Sequence, residues 1–135
     1  MLKTGIKGYQ SVLSTEERSA KVLGSGTLEV FATPAMVALM EKTAQDSVAS
    51  YLEEGDGTVG IRLDITHDAP TPLGMQVYCE SELIEIDGRR LVFQVDAYDE
   101  TGKIGSGRHE RFIIHNEKFQ EKADKKRELP KTGQV

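Results

Sequence analysis

The sequence predicts an α+β fold in which an antiparallel sheet wraps one long helix. Three observations carry that expectation. The stretch from Phe31 to Leu52 repeats its apolar residues at helical spacing. Four strand-like runs follow it, separated by turn residues. Each layer then has an apolar face that the other must cover, because neither a helix stripe nor a sheet face is stable against water. Such a sheet keeps an edge strand and an open face, so a homodimer is expected.

The chain opens with a short strand-like run, Gly8 to Leu13. Ser14-Thr-Glu-Glu-Arg18 has the form of a helix start, with Glu17 three residues after Ser14. A short helix through Ala20 to Leu23 is expected to end at Gly24-Ser-Gly26. Leu28-Glu-Val-Phe31 alternates and runs into the long helix. Thr33 is the expected N-cap there, its hydroxyl accepting from a first-turn amide. Pro34 follows at the first helical position, where its missing N–H costs nothing. Val37, Met40, Ala44, Val48, Tyr51 and Leu52 make the apolar stripe, and Gly55 and Gly57 stop the helix.

Thr58 to His67 alternates, with Val59, Ile61, Leu63, Ile65 and His67 on one face and Gly60, Arg62, Asp64 and Thr66 on the other. A loop from Asp68 to Gly74 precedes the run Met75 to Ile86. Asp87-Gly88 is a hairpin signal. Arg89 to Tyr98 returns, with Leu91, Phe93, Val95 and Ala97 alternating. Asp99 to Gly102 turns the chain into a last strand, Lys103 to His115. Asn116 to Arg127 reads as a charged terminal helix. A single domain is expected over 1–127, with 128–135 a disordered polar tail.

Composition narrows the function classes. The 135 residues hold one cysteine, Cys79, so no internal disulfide and no Cys-rich metal site can form. A reducing, cytoplasmic setting follows. The first eight residues lack a signal-peptide apolar core, and no apolar run reaches the ~20 residues of a membrane span. Net charge is −5, with no Trp and no basic stripe, which argues against nucleic acid as a partner. His67, His109 and His115 are too scattered for a metal site, and no phosphate loop or Gly-x-Ser-x-Gly nucleophile turn is present.

Two residues break their patterns. Glu41 falls inside the helix stripe, between Val37 and Ala44 or Val48, where a carboxylate is costly unless bonded or at the rim. His67 shares the parity of the apolar face of its strand. Both point to the helix–sheet interface, where an imidazole and a carboxylate make a general acid–base pair. Thr33 adds a hydroxyl beside helix N-terminal amides, which bind an oxyanion. Thr33 and Glu41 are eight residues apart, ~12 Å along a straight helix. They meet most simply if Thr33 of one subunit faces Glu41 of another.

These residues lie in stretches that resemble the hotdog-fold thioesterases, and among them the fluoroacetyl-CoA thioesterase-like family. The matching blocks are Val30-Phe-Ala-Thr-Pro-Ala-Met-Val-Ala-Leu-Met-Glu41, then Gly60 through Thr66-His67-Asp-Ala-Pro70, then Ile104-Gly-Ser-Gly-Arg-His-Glu-Arg111 with Ile114-His-Asn-Glu-Lys-Phe119. The resemblance implies a hotdog fold, a long central helix wrapped by a curved antiparallel sheet, pairing as a double-hotdog dimer or a higher oligomer. It implies hydrolysis of an acyl-CoA thioester with no cofactor, coenzyme A entering as part of the substrate. It places the family's catalytic Thr, Glu and His on Thr33, Glu41 and His67, and its substrate-binding Gly and Arg on Gly60 and Arg111. Glu41 would then be the nucleophile or the holder of the attacking water. The specialised members close phenylalanines over a small fluorinated acyl group. Here the segment Leu23 to Val30 has no aromatic, so a different, short or medium acyl group is expected. The rival expectations are a non-catalytic hotdog module that binds acyl-CoA or another small ligand, and a hotdog dehydratase. The adjacency of His67 and Asp68 disfavours the dehydratase, since neighbours on a strand point to opposite faces.

Overall fold

The computed structural model describes residues 1–133. Five strands form one antiparallel sheet: β1 (Lys7–Leu13), β2 (Asp56–His67), β3 (Gln76–Asp87), β4 (Arg90–Asp99) and β5 (Gly102–His115). Their order is β1-β3-β4-β5-β2, which leaves β1 and β2 at the edges. The helices are α1 (Ala20–Leu23), α2 (Thr33–Val48) and α3 (Asn116–Asp124). Short 3-10 turns lie at Glu16–Arg18, Ala49–Tyr51 and Lys125–Glu128. The tail expected from residue 128 on is described only through Gly133; residues 134–135 lie outside the described residues. Among the described residues, no helix is long and apolar enough to cross a membrane.

Helix α2 packs against β1, β2, β3 and β4. Met36, Met40, Ala44 and Val48 bury against Val77, Leu83, Leu91, Phe93 and Val95 of the inner sheet face. The stripe is rotated from the expected one. Leu39 and Thr43 belong to it, while Tyr51 is 43% exposed beyond the helix end. Thr43 is admitted because its hydroxyl donates to the Leu39 carbonyl at 2.6 Å, so no polar group is left unpaired in the core. With the stripe turned this way, Glu41 sits at its rim, its side chain 38% exposed.

Two further expectations change. The N-cap of α2 is Ala32, which has no capping side chain, and Thr33 is the first helical residue. The alternation of β2 breaks at a bulge between Gly60 and Arg62. An inserted residue reverses strand parity. Ile61, expected inside, is therefore 52% exposed, and Gly60, expected outside, faces the helix against Glu41. Beyond the bulge the expected faces hold, with Leu63, Ile65 and His67 the more buried set. The β3–β4 hairpin closes with Asp87 opposite Arg90, and Gly88 takes the positive φ of 63° in the two-residue loop.

Candidate active site

The first group of site residues forms where the end of β2 meets the first turn of α2. His67 pairs with Gly105 of β5. A Cβ at Gly105 would lie 2.8 Å from Met36 Sδ, so the missing side chain lets sheet and helix approach here. The loop after β2 is tied down on both sides. The amides of Asp68 and Ala69 donate to the Ile104 carbonyl at 2.6 and 3.2 Å. The Phe31 amide, just before α2, donates to the Thr71 carbonyl at 2.9 Å. The Thr71 hydroxyl in turn donates to buried Asp99 at 2.7 Å.

This framework sets Thr33 Oγ1 2.7 Å from His67 Nδ1. The other ring nitrogen, Nε2, is buried and has no hydrogen-bond partner among the described residues. Thr33 and His67 line an open cavity of about 260 Å³ together with Ala20, Ser25, Ala32 and Ala69. Burial pushes the His67 pKa down, against the opposing Asp68 charge and Ala69 backbone. The imidazole is therefore neutral near pH 7, the state that takes up a proton. At the start of α2 the first-turn amides of Thr33 and Ala35 have no helical acceptors, and Pro34 between them has no N–H. The expected capping role of Thr33 is thus replaced by pairing with His67.

The second group surrounds Glu41. Its Oε2 lies 3.7 Å from Nη1 of Arg111, whose side chain is only 4% exposed. Arg111 is held on three sides: Nε donates to Thr58 Oγ1 at 2.7 Å, Nη2 to the Thr58 carbonyl at 2.9 Å, and Nη1 lies 3.1 Å from His109 Nε2. Burial lowers the Arg111 pKa, and the Glu41 charge opposes that shift. Gly60 makes the arrangement fit. A Cβ there would collide with Glu41 Oε2 and lie 3.1 Å from His109 Cε1 and 3.4 Å from Arg111 Nη1.

Within one chain the expected residues thus form two groups, Thr33 with His67, and Glu41 with Gly60 and Arg111. Eight residues of unbroken α2 separate Thr33 from Glu41, ~12 Å of helix rise. Two members of the second group, Thr58 and His109, were not expected. His109 is fully buried, and the signal for it was its place two residues before Arg111 on the same strand face. Cys79 is a buried strand residue whose thiol burial pushes up to about 11, which leaves no thiolate to act as nucleophile. Among the described residues no group of three or more His, Cys, Asp or Glu is placed to hold a metal ion.

Comparison with known proteins gives the family. A fluoroacetyl-CoA thioesterase from Streptantibioticus cattleyicolor is 48% identical over 98 residues, 73% of this chain and 70% of that relative. The solved fluoroacetyl-CoA thioesterase FlK superposes with a TM-score of 0.89 at 37% identity, covering 96% of this chain and 99% of that one. Threonine variants of FlK have been solved with fluoro-acetate and with acetyl-CoA. A thioesterase superfamily member from Thermus thermophilus superposes with a TM-score of 0.86 at 28% identity, over 95% of each chain. The family model described as FlK, fluoroacetyl-CoA-specific thioesterase, matches residues 14–117. The chain therefore has the hotdog fold and belongs to the FlK fluoroacetyl-CoA-specific thioesterase family.

Proposed function

We propose that this protein is an acyl-CoA thioesterase that hydrolyses a short or medium acyl-CoA to the free acid and coenzyme A. The observation that carries the reading is the setting of His67: it lines a cavity, pairs through Nδ1 with Thr33, and keeps a buried Nε2 without a hydrogen-bond partner among the described residues. Thr33, Glu41 and His67 are the catalytic residues of this reading, and Gly60 and Arg111 shape the substrate side. The thioester carbonyl lies near the first turn of α2, whose free amides stabilise the tetrahedral oxyanion. In one course Glu41 holds a water that attacks the carbonyl carbon, and His67 takes up that water's proton and passes it to the coenzyme A sulfur as the C–S bond breaks. In the other Glu41 itself attacks, coenzyme A leaves as the thiolate, and a water whose proton His67 takes up opens the acyl-Glu41 anhydride to the free acid. Buried Arg111, 3.7 Å from Glu41 Oε2, orients the side chain for that role. The reaction calls on no cofactor.

The two residue groups join across a homodimer in this reading. Gly60 and His67 lie seven residues apart on β2, an edge strand. Antiparallel pairing of two β2 edges about a two-fold centred between them sets His67 of one protomer beside Gly60 of the partner subunit. Thr33 and His67 of one chain then meet Glu41 and Arg111 of the other. The segment Leu23 to Val30, expected to lack an aromatic cover, supplies Ser25 and Val30 to the cavity wall and turns Leu28 outward, 66% exposed, with Phe31 the one phenylalanine in the lining; this supports an acyl group other than fluoroacetyl. We further read residues 1–127 as a single domain acting in the cytoplasm on a soluble substrate.

Release of free thiol from acetyl-, fluoroacetyl-, butyryl- and hexanoyl-CoA tests the reading. Wild type turns over at least one of them, and Glu41→Ala and His67→Ala each lower kcat by about 10²-fold or more. Tight coenzyme A binding without turnover of any thioester would instead identify a binding module. Turnover that survives both substitutions would place the site elsewhere.

A further inference from the structure

We propose that His109 is a positioning residue for Glu41, acting through Arg111 as a neutral imidazole of fixed tautomer. The inference rests on the thioesterase reading above. Its physical basis is hydrogen-bond chemistry. His109 Nδ1 lies 2.9 Å from the carbonyl oxygen of Arg62. A carbonyl can only accept, so Nδ1 carries the proton. His109 Nε2 lies 3.1 Å from Arg111 Nη1. A guanidinium can only donate, so Nε2 is bare and accepts. Protonation of Nε2 would set two donors and two cations face to face, and the site therefore holds the ring neutral.

What the ring achieves is orientation. Arg111 is fixed on its far side by the two bonds to Thr58, and His109 fixes the near side. The same Nη1 that donates to His109 is the one that stands 3.7 Å from Glu41. The half-exposed carboxylate is thereby held by charge while its oxygens stay free to reach substrate. The β2 bulge belongs to the same device. It falls between Gly60 and Arg62, presents the Arg62 carbonyl to His109, and turns Gly60 under Glu41. His109 is fully buried and cannot touch the substrate itself. The charged groups that face it are Arg111 and Glu110 on β5 and Glu41 on α2; burial first, then Arg111, lower its pKa, while the Arg62 carbonyl and the two carboxylates oppose that.

Two substitutions separate positioning from bulk. His109→Gln sets an amide oxygen near the Nε2 position and keeps an acceptor for Arg111. His109→Asn sets its amide near Nδ1, keeps the donor to Arg62, and leaves Arg111 Nη1 without its His109 acceptor. The expected result is a loss of kcat of about 10²-fold in His109→Asn, KM within about threefold, and rescue to within about fivefold of wild-type kcat in His109→Gln. In a Glu41→Gln background His109→Asn should cost little more, because its effect runs through that carboxylate. Equal losses in the two variants, or wild-type kcat in His109→Asn, would overturn the proposal. A long-range ¹H–¹⁵N spectrum of the wild type decides independently of activity: Nδ1 protonated and Nε2 bare is required, and the opposite tautomer or a charged ring at pH 7 overturns it. If wild type hydrolyses no thioester, the functional reading fails on that result, and the spectrum still decides the tautomer.

Discussion

Gly60 shows how much one absent side chain does in this site. Glu41, His109 and Arg111 all close on the space that a methyl group there would fill. Glycine is required for close approach rather than for an unusual backbone angle, since Gly60 is not among the positive-φ residues. Gly60→Ala is expected to displace the Glu41 carboxylate and to lower kcat by more than about tenfold, while costing about 1–3 kcal/mol of stability from overpacking. Steady-state kinetics and urea denaturation of the variant check both numbers; wild-type kcat would show that the carboxylate's position is not needed. At this scale the sequence was informative wherever a residue broke its pattern. Glu41 within an apolar stripe and His67 on an apolar strand face were both legible. The partner of Thr33 was not, because an N-cap explains a threonine before a proline equally well. His109 was hidden for a different reason: it shares a strand face with Arg111, two residues on, but its other partner is the Arg62 carbonyl at the β2 bulge, which no spacing rule connects to it.

At the scale of elements, the site depends on how the loop after β2 is pinned to the segment entering α2. Phe31 donates to Thr71, and Thr71 donates to Asp99. Asp99 also accepts from the Thr101 amide and hydroxyl, both at 2.8 Å. Burial pushes the Asp99 carboxyl upward, but the donors of Thr101, Thr71 and Gly102 outweigh it and hold the group below the ordinary carboxylate range. A folded pKa below the unfolded one stabilises the fold above the unfolded value of about 3.9, and this contribution is lost as pH falls through the folded pKa. Asp99→Asn should therefore cost about 1–3 kcal/mol at pH 7, with the gap to wild type shrinking toward pH 3. Urea denaturation at both pH values tests it, and a gap that is unchanged would assign the loss to packing instead of charge. The strands and the long helix were readable from alternation and 3.6-residue spacing, with strand ends displaced by a residue or two and the helix ending at Val48, four residues before the expected Leu52. The β2 bulge was not, because one inserted residue leaves no mark in composition and simply reverses parity. Thr43 misled the stripe for a similar reason, its polarity being cancelled by a bond to Leu39 that only the folded helix shows.

For the whole molecule, the sheet order bears on the proposal that the site is completed by a second chain. Edge strand β2 carries both residue groups, His67 at its end and Gly60 near its middle. Helix α2 carries their counterparts, Thr33 at its first residue and Glu41 midway. The straight helix holds the groups apart within a protomer, while in the proposed dimer a two-fold along the β2 edge would bring each to the other's counterpart. Fold and family were legible in the sequence because three motif blocks kept their intervals across most of the chain. The joining of the groups across subunits was an inference from helix length and stays a proposal.

Subunit mixing tests that joining most directly. His67→Ala and Glu41→Ala chains, each inactive alone, are combined under conditions of subunit exchange and assayed for thiol release from the best wild-type substrate. A site shared across the two-fold restores one intact site in every heterodimer, so statistical exchange returns about a quarter of wild-type activity. No recovery, with exchange verified by native mass spectrometry, would mean that each chain uses its own Thr33, His67 and Glu41, and would contradict the account.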